Sequence, residues 1–109
     1  MPRETGVPPG TLIMLILRVL AAQPCHGYAI AQRIHHLSSE ELQVEEGSLY
    51  PALQKLLLKG WVKAGWTVSE TGRKVRLYRI TGSGRKQLEA EMAEYRRAAQ
   101  AIATVLDTA

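Results

Sequence analysis

The sequence is poor in the residues on which most hydrolytic and acid–base enzymes depend. Aspartate occurs once, at Asp107, so a carboxylate pair or a Ser-His-Asp set would need glutamates, and no motif places a glutamate beside a nucleophile. The stretch Gly82-Ser83-Gly84 lacks the other residues of a dinucleotide- or phosphate-binding loop. We therefore predict that the chain is not an enzyme and has no cofactor.

Cysteine is equally scarce, because Cys25 is the single one in the chain. One cysteine cannot form an internal disulfide, so nothing in the sequence calls for an oxidising compartment, and we expect a cytoplasmic protein. Cys25 and the three histidines, His26, His35 and His36, lack the C-x-x-C or H-x-x-x-H spacing of metal ligands. We therefore predict no metal site.

The chain also lacks an apolar run long enough to cross a membrane, and we expect no membrane partner. The longest run, Leu12 to Leu17, is broken by Arg18 and resumes only to Ala22, whereas a spanning helix needs about 20 apolar residues. The sequence is instead basic, since 14 Lys and Arg against 10 Asp and Glu give a formal net charge of +4. One domain of 109 residues with this charge is expected to attract polyanions such as nucleic acid.

Glycine and proline divide the chain into periodic segments that predict four helices and one hairpin. Helices are expected over residues 9–22, 27–37 and 47–60, with a fourth from 84 or 85 nearly to the C-terminus. Strands are expected over 61–68 and 75–80 with a polar turn at 69–72 between them, and residues 42–46 are expected to form a single edge strand.

Individual residues indicate how these segments begin and what they bury. Thr11 is the candidate N-cap of the first helix, and Thr81 and Ser83 are those of the last helix. Pro51 is expected in the first turn of the third helix, where proline is tolerated. The first helix is apolar on nearly every side, so a partner subunit is expected to cover part of it. The third helix is expected to bury a stripe formed by Leu49, Leu53, Leu56 and Leu57.

The order of three helices followed by a hairpin is that of the winged helix-turn-helix. In that arrangement, with a short turn between the second and third helices, the third helix enters the major groove and the hairpin, called the wing, follows the backbone or minor groove. We predict a mainly α fold with a small β-hairpin, comprising a winged helix-turn-helix plus a long C-terminal dimerisation helix. The winged-helix domain is expected over residues 1–82, with residues 1–8 flexible, and the dimerisation helix over 83–109.

The exposed face of the third helix and the wing carry the residue types that bind DNA. Gln54 can pair bidentately with adenine, and Lys55 can reach guanine or a phosphate. The hydroxyls of Ser48 and Tyr50, near the helix N-terminus, suit phosphate oxygens. Four cations lie within residues 73–79, including Arg79, and this clustering is typical of a wing that contacts phosphates, the alternative being a solvated charged face. The predicted DNA-binding set is Ser48, Tyr50, Pro51, Gln54, Lys55, Arg73, Lys74 and Arg76.

The last helix repeats apolar and small residues at steps of four and three. This heptad spacing forms a narrow seam suited to a second helix, and it predicts a homodimer, the alternative being that the helix packs only on its own domain. The seam consists of Leu88, Met92, Tyr95, Ala99, Ile102 and Leu106.

Three short motifs of the sequence resemble those of the PadR family of transcriptional regulators. They are His26-Gly27-Tyr28-Ala29-Ile30, Glu45-Glu46-Gly47-Ser48-Leu49-Tyr50-Pro51-Ala52-Leu53, and Tyr78-Arg79-Ile80-Thr81 with Gly84-Arg85. The resemblance runs from Gly10 to about Glu91, with a single C-terminal helix as in the short branch of the family. It departs at Leu58, where an acidic residue is common, and at Gly82, where proline is common.

The resemblance implies a dimeric winged-helix regulator, usually a repressor, that binds a palindromic operator in double-stranded DNA. It maps the family's DNA-contacting segment onto the third-helix residues named above, and its wing onto Arg73 and Lys74. Some relatives hold flat aromatic or drug-like molecules between subunits, which implies a small hydrophobic or aromatic effector here. Its candidate pocket is formed by Leu12, Ile16, Met92 and Tyr95, and the alternative is a closed dimer core without a ligand.

A second class of function fits the same pattern of elements. A winged-helix module can serve as a protein-interaction or dimerisation element without specific DNA binding, with its basic wing against an acidic partner. A dimer that neutralises several phosphates loses orders of magnitude in DNA affinity between about 50 and 200 mM salt, and this loss distinguishes the two functions.

Overall fold

The fold is mainly helical with two small sheets, and a computed structural model describes it over residues 5–108. Residues 1–4 of the predicted flexible N-terminus, and residue 109 of the last helix, lie outside the described residues. The helices are α1 (Leu12–Ala22), α2 (Gly27–Leu37), α3 (Glu46–Leu58) and α4 (Gly82–Leu106). The strands are β1 (Thr5–Gly6), β2 (Cys25–His26), β3 (Leu42–Gln43), β4 (Val62–Val68) and β5 (Lys74–Ile80). The predicted fold class, a winged helix-turn-helix with a long C-terminal helix, is confirmed.

The wing is the antiparallel hairpin of β4 and β5. Its pairs run from Val62 with Ile80 at the base to Val68 with Lys74 at the tip. The turn closes where the Ser69 N–H donates to the Arg73 carbonyl at 2.8 Å, and Gly72 occupies the left-handed region at φ +82°, which favours glycine. Strand β2 extends this sheet by pairing antiparallel with β5 on the edge opposite β4.

The start of α1 differs from the prediction by three residues. Gly10 has a φ of +82° and therefore breaks the helical path, so α1 begins at Leu12 rather than at residue 9. Thr11 stands at the N-cap position without capping, because its hydroxyl donates to the Pro8 carbonyl at 2.7 Å. The predicted cap of the last helix is confirmed at Thr81, whose hydroxyl oxygen accepts a hydrogen bond from the Gly84 N–H at 3.0 Å.

The connection between α2 and α3 is longer than the predicted short turn. It spans residues 38–45 and includes β3, which pairs in parallel with β1 at the N-terminal end of the described chain. The edge strand predicted over 42–46 is therefore two residues long and has a partner. His35 supports the connection, since its Nδ1 lies 3.0 Å from the Leu42 carbonyl oxygen.

A single core lies between all four helices and the inner face of the wing. Burying a leucine or isoleucine side chain stabilises a fold by about 1.5–3 kcal/mol, so this cluster supplies most of the driving force. Its fully buried large side chains are Ile16, Leu17, Leu20, Ile30, Leu49, Leu53, Leu56 and Val62. Leu57, predicted in the same stripe, is half-buried. Cys25 is also buried, and this burial raises the pKa of its thiol.

Helix α4 leaves the domain after its first turns. Leu88 is buried in the core and Met92 is half-buried, whereas Tyr95 is 50% exposed and Leu106 is 77% exposed. With 25 residues the helix is about 37 Å long, so the domain covers only its first turns. Its C-terminal half therefore presents apolar side chains beyond the domain.

Candidate nucleic-acid interface

Helix α3 separates its core stripe from a polar face. Leu49, Leu53 and Leu56 are buried, and this burial fixes the rotation of the helix, so the residues between them point outward. The exposed set contains every predicted third-helix residue, namely Ser48, Tyr50, Pro51, Gln54 and Lys55, together with Leu58 and Lys59.

The position of Pro51 corrects the sequence-based interpretation. Because α3 begins at Glu46, Pro51 lies in the second turn rather than the first. In an α-helix the N–H of residue 51 donates a hydrogen bond to the carbonyl of residue 47. Because Pro51 has no N–H, the Gly47 carbonyl does not receive this bond. Gly47 is exposed, and solvent or a ligand can reach this carbonyl.

The N-terminal end of α3 is acidic. Glu45 and Glu46 are exposed near Ser48, and their carboxylates interact favourably with the positive end of the helix dipole. The same carboxylates repel phosphate, so the hydroxyl of Ser48 is better suited to a base edge than to the DNA backbone.

The alternation of the hairpin divides the wing cations between two faces. Trp66 pairs with Arg76, whereas Lys63 pairs with Arg79, and successive side chains of a strand point to opposite faces. Arg76 therefore shares a face with Trp66, and Arg79 lies on the reverse face. The four cations that the sequence places together do not form one cluster, because Arg73 lies in the turn.

The face that carries Trp66 holds its cations against aromatic rings. The ammonium of Lys74 lies 5.5 Å from the centroid of the Trp66 ring, and the guanidinium carbon of Arg76 lies 5.7 Å from the same centroid. Arg76 is also 5.7 Å from the Tyr78 ring centroid. These distances are within the range of a cation–π attraction.

A cleft joins this face of the wing to the start of α3. Its aromatic and basic lining consists of His26, Tyr28, Tyr50, Trp66, Lys74, Arg76 and Tyr78. We refer to it as the wing cleft. The Tyr50 ring packs against Gly27, where a Cβ would lie 3.1 Å from its Cε1, so Gly27 provides the space that positions this tyrosine. The His-Gly-Tyr and Ser-Leu-Tyr-Pro motifs therefore contribute to the same surface.

Sequence reasoning did not select His26, Tyr28 or Trp66 as site residues. His26 supports the wing through its Nδ1, which lies 3.4 Å from the Arg76 carbonyl oxygen. The two-residue period of the strands gave one available signal for Trp66. Counting residues in pairs outward from the hairpin turn places Trp66 opposite Arg76. The roles of His26 and Tyr28 depend on the pairing of β2 with β5, which has no periodic signature.

Of the four residues of the predicted effector pocket, Ile16 belongs to the core, Leu12 and Met92 pack against that core, and Tyr95 lines a groove separate from that of Leu12. Ile16 is fully buried, and Leu12 lies in a groove with Lys59 and Trp61. A separate groove runs beside Tyr95 and is bordered by Met14 rather than by Leu12 or Ile16. Its other lining residues on α4 are Gln87, Ala90, Glu91, Glu94 and Ala98.

The polar face of α3, with a cationic wing beside it, defines a winged helix-turn-helix DNA-binding protein. Residues 16–90 match the family described as the transcriptional regulator PadR-like family. The chain belongs to this family, which confirms the resemblance noted in the sequence. Its members are transcriptional regulators that bind DNA.

Known proteins from several bacteria are similar over most of the chain. Protein X of Lysinibacillus sphaericus is 31% identical over 86 residues, which is 79% of each chain. The structure of a transcriptional regulator from Clostridium thermocellum has a TM-score of 0.80 at 27% identity, covering 87% of this chain and 92% of that one. A PadR family transcriptional regulator from Eggerthella lenta has a TM-score of 0.77 at 27% identity, covering 92% and 85% respectively.

Between residues 5 and 108, no helix combines the length and the apolar character that crossing a bilayer requires.

Proposed function

We propose that the chain is a repressor that binds a palindromic operator as a homodimer. In this arrangement α3 enters the major groove, and the wing cleft faces the adjacent sugar–phosphate backbone. The observation that carries the proposal is the wing cleft itself, because it makes the exposed face of α3 continuous with Lys74 and Arg76. A DNA duplex needs such a combination of a polar reading helix and flanking cations, whereas a protein-interaction module does not.

Recognition of bases is assigned to α3. Gln54 lies one turn after Tyr50 on the same face, where its amide can pair with adenine, and Lys55 beside it can reach guanine or a phosphate. Tyr50 and Ser48 lie nearer the start of the helix. The ring of Pro51, which is exposed and follows Tyr50 along the helix, offers an apolar surface to a thymine methyl group.

Contacts to the phosphates are assigned to the wing. Arg73 and Lys74 lie at its tip and Arg76 lies in the wing cleft, and all three are exposed. Because phosphates are the same at every base pair, these residues contribute affinity and register rather than sequence preference.

The homodimer is assigned to the seam of α4. Leu88 and Met92 are already used by the domain, so the part available to a second chain consists of Tyr95, Ala99, Ile102 and Leu106. Two antiparallel copies of this half-helix would bury apolar side chains that are otherwise in water. Two-fold symmetry then presents two copies of α3 to two half-sites, which is why the proposed operator is palindromic.

A small aromatic effector is assigned to the groove beside Tyr95. This groove lies where α1 meets the seam-bearing helix α4, so a ligand there would change the angle between the two domains of a dimer. Met14 supplies an adaptable apolar wall opposite the Tyr95 ring. A thermal shift of the dimer with phenolic acids, absent in Tyr95→Ala, would support this assignment, and no shift with any phenolic or planar aromatic compound would count against it.

Salt dependence of DNA binding tests the proposal against the protein-interaction alternative. Affinity for a duplex should fall by orders of magnitude between about 50 and 200 mM salt, because each phosphate contact contributes a slope of about −0.9 in log affinity against log salt. Binding that is weak and insensitive to salt would favour the protein-interaction function. The variant Arg79→Gln is a matched control for Arg76→Gln, since it removes the same charge from the reverse face of the same strand.

A further inference from the structure

Trp66 is a large apolar side chain that folding alone does not explain. Trp66 lies on the face of the hairpin that packs on the core. At the base of the hairpin this face is buried, as Val62 and Tyr78 show, but the strands extend beyond the core before they reach Trp66. The ring is consequently 64% exposed. A polar or β-branched residue would serve the hairpin as well, so the exposed indole needs another reason.

The indole organises the two cations of the wing cleft. Arg76 lies directly across the strand pair from Trp66, and Lys74 is its diagonal neighbour, so both long side chains reach the same ring. Contact with the ring restricts the rotamers of side chains that would otherwise move freely in water. A cation already held in its bound position loses less entropy when it meets a phosphate.

The surroundings of the ring indicate what covers it. The wing cleft is continuous with Tyr50 of α3, and its charged groups, Lys74 and Arg76, are cationic. A polyanion is therefore the complementary partner, and the proposed docking of α3 brings the duplex to this side of the wing. The sugar–phosphate backbone offers both an apolar deoxyribose for the indole face and a phosphate acceptor for its N–H.

We propose that Trp66 is a DNA-contacting residue that holds Lys74 and Arg76 in place and lies against the sugar–phosphate backbone. This inference rests on the proposed function, because it places the duplex along the wing cleft. It assigns to Trp66 a part of the affinity that is independent of base sequence.

Binding of a mixed-sequence duplex by Trp66→Leu and Trp66→Phe tests the inference. Trp66→Leu should weaken binding by at least about tenfold on every sequence, because Lys74 and Arg76 of each subunit would no longer be held in place and would have to be ordered on binding. The salt slope should also become shallower, by about 0.9 for each phosphate contact that is lost. Trp66→Phe keeps a ring under the cations and should retain most of the affinity.

A coupling measurement separates this role from a structural one. The double variant Trp66→Leu with Arg76→Gln should lose less affinity than the sum of the two single losses, because both act on one contact. Arg79→Gln, on the reverse face, should be additive with Trp66→Leu. Circular dichroism of each variant establishes that the hairpin is folded before binding is compared.

Tryptophan emission supplies a second readout. DNA binding should change the emission of the wild type, and the change should disappear in Trp66→Phe, in which Trp61 is the remaining indole. Wild-type affinity and salt slope in Trp66→Leu would overturn the inference while leaving the proposed function intact. Failure of the wild-type protein to bind any duplex in a salt-dependent way would overturn both.

Discussion

Gly84 lies where α4 passes closest to the wing, and its replacement by alanine should destabilise the fold. A Cβ atom there would lie 2.1 Å from the Trp61 carbonyl oxygen and 2.9 Å from Cγ1 of Ile80. The nearer contact is with backbone, so turning a side chain cannot relieve it. Helix α4 would have to move by at least about 1.3 Å away from the Trp61 carbonyl to restore an ordinary contact of 3.4 Å.

The expected loss is about 2 kcal/mol in the free energy of unfolding. Overpacking of this kind costs about 1–3 kcal/mol, and a contact with backbone belongs at the upper end of that range. Alanine returns about 1 kcal/mol through its better helix propensity. Since about 1 kcal/mol corresponds to 4–8 °C in a small domain, Tm should fall by about 10 °C.

Gly82→Ala is the matched control in the same helical turn. A Cβ at Gly82 has no neighbour within 4 Å, so this variant should be at least as stable as the wild type, by up to about 1 kcal/mol from helix propensity. Thermal and urea unfolding should be measured at one protomer concentration, because the proposed dimerisation would make Tm depend on concentration. Equal stability of Gly84→Ala and Gly82→Ala would refute the close approach of α4 to the wing.

Three further predictions concern DNA and the dimer. Arg73→Ala with Lys74→Ala should weaken binding to all DNA sequences alike in a titration, and a loss confined to one sequence would contradict the wing assignment. Gln54→Ala should relax preference at one or two base positions, at about 1–3 kcal/mol each, and an equal loss on every sequence would contradict its reading role. Ile102→Glu should raise the dimer dissociation constant at least tenfold by sedimentation, whereas Gln100→Glu, off the seam, should not.

Elements bounded by strong local signals were predictable from the sequence. Helix α2 has the predicted bounds of 27–37, because Pro24 and Gly27 mark its start and Ser38 and Ser39 follow its end. Thr81 caps α4 as predicted, because a threonine after a strand and before a helical segment satisfies an otherwise unpaired N–H. In both cases the structure is decided by a few neighbouring residues.

The wing cleft could be predicted only in part. Its third-helix residues follow from the leucine stripe, since burying one face exposes the other. The placement of Arg76 and Arg79 on opposite faces of the hairpin follows from the two-residue period of a strand. A count of the cations within residues 73–79 does not show it. The packing of Tyr50 on Gly27 depends on how α2 and α3 are brought together by the whole core, which no local pattern contains.

Elements that depend on distant pairing were missed. Strand β2 is two residues long and exists because β5 offers it a free edge. Pro51 lies in the second turn of α3 rather than the first, and the helix begins at Glu46, one residue before the predicted start.

Selection of binding sites from a random pool of duplexes at physiological salt tests the central claim most directly. The account predicts enrichment of an inverted repeat whose half-site centres lie about 34–36 Å apart, or one helical turn. Enrichment should weaken at one or two positions in each half-site when the selection is repeated with Gln54→Ala. The absence of any enriched sequence, with only weak salt-sensitive binding, would contradict a dimer that reads DNA through α3.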